Sequence, residues 1–116
     1  MHGTIQRMNV SAHELERILE KQQDTNDIDF ISVCSPEEYE SGHIKGIRNI
    51  PLNTLPQHID ELKHMKKIYL VCISGRRSEI AAQRLAALGV TAELHNLSGG
   101  QSAWVEAGLP LETQHP

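Results

Sequence analysis

The stretch Lys67–Gly89, KIYLVCISGRRSEIAAQRLAALG, decides the fold. Ile68, Tyr69, Leu70 and Val71 make a continuous apolar run, which suits a strand buried on both faces of a sheet. Residues 78–88 then place Ala81, Leu85 and Leu88 on one helical face, and Gly89 supplies the stop. A strand that passes through a short polar loop into a helix is half of an α/β unit. Ligands of such sheets bind beyond the carboxyl ends of the strands, and Cys72 stands at such an end.

Working outward, the same alternation continues. Ser11 and Glu14 form a capping box, with Val10 and Leu15 placed as a hydrophobic staple, so a helix is predicted over 11–22. Asp29–Val33 reads as a short strand. Ser35 is an N-cap, Pro36 takes the first helical position, and Gly42 ends the turn. GIRNIPL is a second short strand, closed by Pro51. LNTLPQHIDELKH is helical, with Pro56 interrupting it near its start. TAELHNL is a further strand, followed by a Gly99–Gly100 turn and a short helix through Trp104. Strands alternating with helices across 116 residues imply one α/β domain, 1–116, with a small, mostly parallel sheet and helices on both faces.

Composition removes several functions. The formal charge is -4, which offers no nucleic-acid or membrane surface. Two cysteines make neither a disulfide framework nor a CxxC metal pair, and the seven histidines have no ligand spacing. No apolar stretch reaches membrane-spanning length, and the first twenty residues lack the apolar core of a signal peptide. A cytoplasmic protein with reduced thiols and no cofactor is expected. No apolar stripe stands out, so a monomer is expected. ETQHP at the end is expected to fray.

The chemistry lies in the loop CISGRRS. A lone cysteine after a strand is more often a small core residue than a nucleophile. Here its company is wrong for that: Ile73, Ser74, Gly75, Arg76, Arg77, and Ser78 at the head of a helix. The first amides of a helix have no intrahelical partner, and the dipole there favours negative charge. Gly75 lets the loop bend so that its N–H groups point inward. A thiol in such a cradle falls from about 8.5 into the range of roughly 3.5–7.5. Arg77 is the fifth residue after Cys72, giving C-x4-R-S. Phosphatases that use cysteine place that arginine one residue further on. The shorter ring is too tight for a tetrahedral phosphate but encloses one extra sulfur, so it favours a Cys72 persulfide over a phosphocysteine.

At this point the residues resemble a family. CISGRRS is similar to the active-site loop of the rhodaneses, the thiosulfate sulfurtransferases. PEEYESGHIKGIRNIPL resembles that family's PxEYxxGHIxGAxNIPL segment, and LSGGQSAWVEAGLP resembles its LxGGxxAWxxAGLP segment. The three stretches stand in order over about residues 28–110, and the length implies the single-domain form. The resemblance implies that Cys72 attacks the outer sulfur of thiosulfate or of a persulfide donor. Sulfite leaves, and cyanide or a thiol takes the sulfur. Amides from Ile73 to Ser78 would hold the persulfide; Arg76 and Arg77 would attract the donor, with Arg77 the better match to the family's fixed arginine. The partners implied are a small sulfur donor and acceptor, or proteins in those roles. A sulfur-relay or regulatory module fed by a protein persulfide is the alternative, and a cysteine phosphatase or arsenate reductase is disfavoured by the short loop.

One stretch departs from the family: SVC, with Ser32 and Cys34, replaces its usual DVR, so an acid–arginine pair is missing. Cys34 reads as a plain small residue rather than a resolving thiol. Ile73 replaces a residue that is often polar. His43 belongs to a structural turn, Gly99–Gly100 to a turn bordering the site, and Trp104 to the core or pocket edge. Glu37, Glu38 and Glu40 read as an exposed helix face.

Overall fold

In the computed structural model, residues 7–21 and 26–113 are described. Five strands, β1 (Arg7–Val10), β2 (Ile28–Ser32), β3 (Arg48–Asn49), β4 (Lys67–Val71) and β5 (Glu93–Leu97), form one sheet in the order β1-β5-β4-β2-β3. Every pairing within it is parallel. The strand predicted from KIYLVC lies at its centre. β4 pairs with β2 from Ile28↔Lys67 to Ser32↔Val71, and with β5 from Lys67↔Glu93 to Leu70↔Asn96.

Side chains alternate across β4, and two cores result. Ile68, Leu70 and Cys72 join Ile31, Leu62, Ala81 and Leu85 in one buried cluster. This is the face covered by α3 (Ile59–Leu62) and α4 (Arg76–Ala87). Tyr69 and Val71 join Phe30, Leu15 and Trp104 in the other, under α1 (Ala12–Lys21) and α5 (Gly100–Glu106). Leu15, Leu70 and Leu85 are wholly buried, and each such side chain stabilises the fold by about 1.5–3 kcal/mol relative to exposure. The sheet of the predicted α/β class is thus covered on both faces.

Local signals in the sequence explain most boundaries. The Ser11–Glu14 box is formed: the Ser11 amide donates to Glu14 Oε1 at 2.8 Å, and the Glu14 amide to Ser11 Oγ at 3.1 Å. Val10 and Leu15 are buried together. Helix α1 ends at Lys21; Gln22, included in the predicted span, lies outside the described residues, as do the last three residues of the chain. Gly89 stops α4, with its amide donating to Ala86 and the Val90 amide to Leu85.

Other boundaries differ from expectation. β1 was not expected, because RMNV has no apolar run; it is an edge strand made by pairing with β5, from Arg7↔Leu94 to Val10↔Leu97. GIRNIPL gives only the two-residue β3. LNTLPQHIDELKH divides into a 3-10 helix, Leu52–His58, and the single turn of α3. Pro56 has no N–H for an α-helical bond, so the tighter turn takes its place. Helix α4 begins at Arg76 rather than at residue 78, which puts both arginines in its first turn.

Candidate functional site

Cys72 follows β4 directly, and the chain turns through Ile73, Ser74 and Gly75 into α4. Gly75 is the N-cap at φ +97°, a left-handed conformation that an L side chain rarely adopts. That turn folds the loop back over the sulfur. The Gly75 amide donates to Cys72 Sγ at 3.0 Å and the Ser78 amide at 3.4 Å. Ser78 Oγ lies 3.5 Å from the same sulfur. Cys72 and Ser78 are both 0% exposed. Burial pushes the Cys72 thiol up, but the Ser78 hydroxyl and the amides of Ser78, Gly75 and Ser74 together outweigh it, and the net direction is down. The cradle therefore favours a thiolate through hydrogen bonds.

The arginines divide differently from expectation. Arg77 is part-exposed but already paired: Nη1 donates to Glu38 Oε1 at 2.7 Å and Nη2 to Oε2 at 3.1 Å, a bidentate pair. Glu38 is therefore not part of an exposed helix face, as Glu37 and Glu40 are. It also completes a capping box on α2 (Pro36–Ser41), accepting from the Ser35 amide at 2.9 Å. Arg76 is exposed and has no ion-pair partner among the described residues. A cation in the first turn opposes the helix dipole. Glu38 offsets that for Arg77; for Arg76 a visiting anion would.

The Arg77 guanidinium, then the Ser35 amide, hold the Glu38 carboxyl down at about 2, against 4.5. A depressed carboxyl stabilises the fold above pH 4.5 and loses that contribution as pH falls towards 2. Both partners are more than a third exposed, so screening leaves about 1 kcal/mol. Glu38→Gln is expected to lower the urea midpoint at pH 6 and to match the wild type near pH 2. A deficit that stays constant between those values would mean that Glu38 acts other than through its charge.

The first turn of α5 walls the loop from behind. The Gln101 amide donates to the Cys72 carbonyl at 2.7 Å and the Ser102 amide to the Ile73 carbonyl at 3.0 Å. Gly100 allows this approach: a Cβ there would lie 2.5 Å from both carbonyl oxygens. Gln101 is itself buried and donates through Nε2 to the Gly42 carbonyl at 2.9 Å. The expected border between this turn and the loop is therefore a backbone contact.

On the other side lie Ser32 and Cys34, where the family's acid and arginine would stand. Both are buried, and Asn49 Nδ2 donates to their carbonyls at 3.0 and 2.9 Å. Burial pushes the Cys34 thiol up, the reverse of a reactive cysteine, and both thiols are free. His43 is 3% exposed, stacks on Tyr39, and bonds through Nδ1 to the Tyr39 carbonyl at 2.7 Å, a structural corner as expected. Trp104 is buried in the core and donates to the Pro110 carbonyl.

Sequence reasoning read Glu38 as part of an exposed helix face and passed over Asn49, Asn96 and Gln101. Only Glu38 carried a signal, since it stands three residues after Ser35 and matches a capping box. Asn96 on β5 is reached only through the parallel pairing. Its Oδ1 accepts from Ser78 Oγ, and its Nδ2 donates to the Gly75 carbonyl at 3.4 Å. It lines a cavity of about 490 Å³ beside the loop, with Asn9, Ser74, Gly75, Arg76 and Ser98. Among the described residues no cluster of His, Cys, Asp or Glu could hold a metal.

A parallel sheet with a buried, amide-cradled cysteine between its central strand and the next helix defines a class, the α/β domains whose site lies at the carboxyl end of the sheet. The model of the rhodanese-like domain matches residues 11–107. The chain belongs to the rhodanese-like family. It is 47% identical over 75 residues to the uncharacterized protein YqhL of Bacillus subtilis, a match covering 65% of this chain and 59% of that one. It thus spans less than two thirds of that relative. It is 29% identical to a sulfurtransferase of Allochromatium vinosum, over 88% of this chain and 94% of that one. A rhodanese-like domain protein of Staphylococcus aureus superposes with a TM-score of 0.75 at 28% identity, covering 93% of this chain and 99% of that structure.

Proposed function

We propose that this domain is a thiosulfate or persulfide sulfurtransferase working through a Cys72 persulfide. The observation that carries the reading is the sulfur's set of donors, the amides of Gly75 and Ser78 at 3.0 and 3.4 Å, inside the C-x4-R loop. The Cys72 thiolate attacks the sulfane sulfur of thiosulfate. The S–S bond breaks, its electron pair leaves with sulfite, and Cys72 keeps the sulfur as an anionic persulfide. Cyanide or a thiolate then attacks the outer sulfur and leaves as thiocyanate or a new persulfide, while the electron pair returns to Cys72 Sγ. Two half-reactions on one nucleophile give ping-pong kinetics.

The loop amides stabilise the negative sulfur at both stages, which is preorganised electrostatic catalysis. Arg76, exposed and without an ion-pair partner among the described residues, is the cation that draws in the dianionic donor; Arg77 shapes the loop through Glu38. Two free thiols suit the reducing cytoplasm. The test is intact mass after brief exposure to thiosulfate. A gain of about 32 Da, reversed by cyanide and absent in Cys72→Ser, is the expected result for this covalent intermediate. No gain would reject thiosulfate and turn the search to a protein persulfide donor. A loss of about 2 Da would mean that Cys34 and Cys72 pair. Hydrolysis of an aryl phosphate would point to a phosphatase.

A further inference from the structure

Ser78 has one hydroxyl proton and three acceptors within reach. They are the Gly75 carbonyl at 3.2 Å, the side-chain oxygen of Asn96, and Cys72 Sγ at 3.5 Å. The hydroxyl can stabilise a thiolate only while that proton points at the sulfur. The Asn96 contact is the closest of the three. The orientation of the Asn96 amide is fixed from its other end. Its Nδ2 donates to the Gly75 carbonyl at 3.4 Å, and a carbonyl can accept only from that nitrogen. Its oxygen must therefore face Ser78.

We propose that Asn96 is a positioning residue for the nucleophile: it competes with Cys72 for the Ser78 proton and so sets how readily the sulfur carries charge. The proposal deepens the sulfur-transfer reading and rests on it for its purpose. While Cys72 is a neutral thiol or the inner sulfur of a persulfide, that sulfur is a weak acceptor, and the Ser78 proton stays on Asn96 Oδ1. When Cys72 becomes a thiolate, charge-assisted bonding draws the proton across to Sγ. The hydroxyl thus leaves Cys72 as the thiolate is consumed in loading, rests on Asn96 while the persulfide stands, and returns to Cys72 as it leaves in the second half-reaction. Ser78 rotates about one bond, and no proton changes its owner. The other groups that sense the charge on Cys72 are Arg77 on α4 and Cys34 beyond β2. Arg76 and Glu79 line the cavity beside Asn96. None of these is altered in the variants below.

The experiment is a pH titration of the ultraviolet absorbance of the Cys72 thiolate, each protein read against its own Cys72→Ser counterpart. Asn96→Ala removes the closer competitor and leaves only the Gly75 carbonyl at 3.2 Å, so it should lower the midpoint by up to about one pH unit, the scale of a single hydrogen bond to a charged group. Asn96→Asp, near-isosteric and a stronger acceptor, should raise it. In a Ser78→Ala background, Asn96→Ala should have no effect, because the hydroxyl it acts through is gone. An unchanged or raised midpoint in Asn96→Ala, or the same fall without Ser78, would overturn the proposal. If Asn96→Ala does not fold, a midpoint in Asn96→Asp at or below the wild-type value would overturn it alone. The titration reads the thiolate and not turnover. The expected shifts alongside no mass gain from thiosulfate would therefore sink the donor assignment and leave the Asn96 device standing.

Discussion

Cys72→Ser should fold and should transfer no sulfur. The reacting atom is the point of the change. A serine hydroxyl in the same cradle stays protonated at neutral pH and cannot carry a persulfide, so turnover should fall by about 10⁴-fold or more, as for nucleophile removal generally. The fold has little reason to fail. The Gly75 and Ser78 amides that donate to Sγ can donate to an oxygen in its place, so no buried donor is orphaned. The stability change should be about 1–2 kcal/mol, within the ordinary range for single substitutions. Thermal unfolding and a thiosulfate:cyanide assay on the same preparation separate the two effects. Transfer retained in Cys72→Ser would move the chemistry to the other cysteine, Cys34, whose thiol burial holds in its protonated form. Loss of transfer in Cys34→Ser as well, with the fold intact, would show that both thiols are needed.

How much of this was legible depends on whether a contact is local. The cradle could be read because it is made by neighbours in sequence: Cys72, Gly75 and Ser78 lie within seven residues, and helix N-termini present free amides whatever surrounds them. The strand and helix on either side announced themselves by apolar spacing. What failed to show was everything that arrives through the sheet. Arg77 looked like the donor-binding cation, but Glu38 lies 39 positions away and meets it only once the fold brings the two side chains together. Asn96 in ELHNL is one of three polar residues in a strand, and nothing in that stretch says that it faces the loop. β1 has no hydrophobic signature because it is an edge strand held by backbone bonds to β5. The sign of the electrostatics was legible, but its source was only partly so. Proximity to arginine and helix amides was expected to lower the thiol together; hydrogen bonds from Ser78, Gly75 and Ser74 lead what lowers it.

Gly100→Ala should be the most damaging glycine-to-alanine change among the described residues. Gly100 has φ +63°, already unfavourable for alanine by about 1–2 kcal/mol. The added carbon would sit 2.5 Å from the carbonyl oxygens of Cys72 and Ile73 and 2.6 Å from the Ile73 carbonyl carbon. These are backbone atoms, so no side chain can swing aside. Relief requires the loop and the turn to separate, and that breaks the bonds from the Gln101 and Ser102 amides at 2.7 and 3.0 Å. Each lost bond costs about 1 kcal/mol, more where a buried donor is left unpaired. The sum is about 4 kcal/mol, a large part of the 5–15 kcal/mol that holds a typical domain. Gly89→Ala is the control. Its φ is +94°, but nothing among the described residues lies within 4 Å of the added carbon, so only the backbone penalty applies. Urea unfolding should therefore show a loss for Gly100→Ala at least twice that for Gly89→Ala. Whatever fraction of Gly100→Ala folds should load sulfur from thiosulfate far more slowly, because the displaced loop no longer aims its amides at Cys72. Equal losses in the two variants, or normal loading in Gly100→Ala, would mean that the cradle stands without the turn behind it.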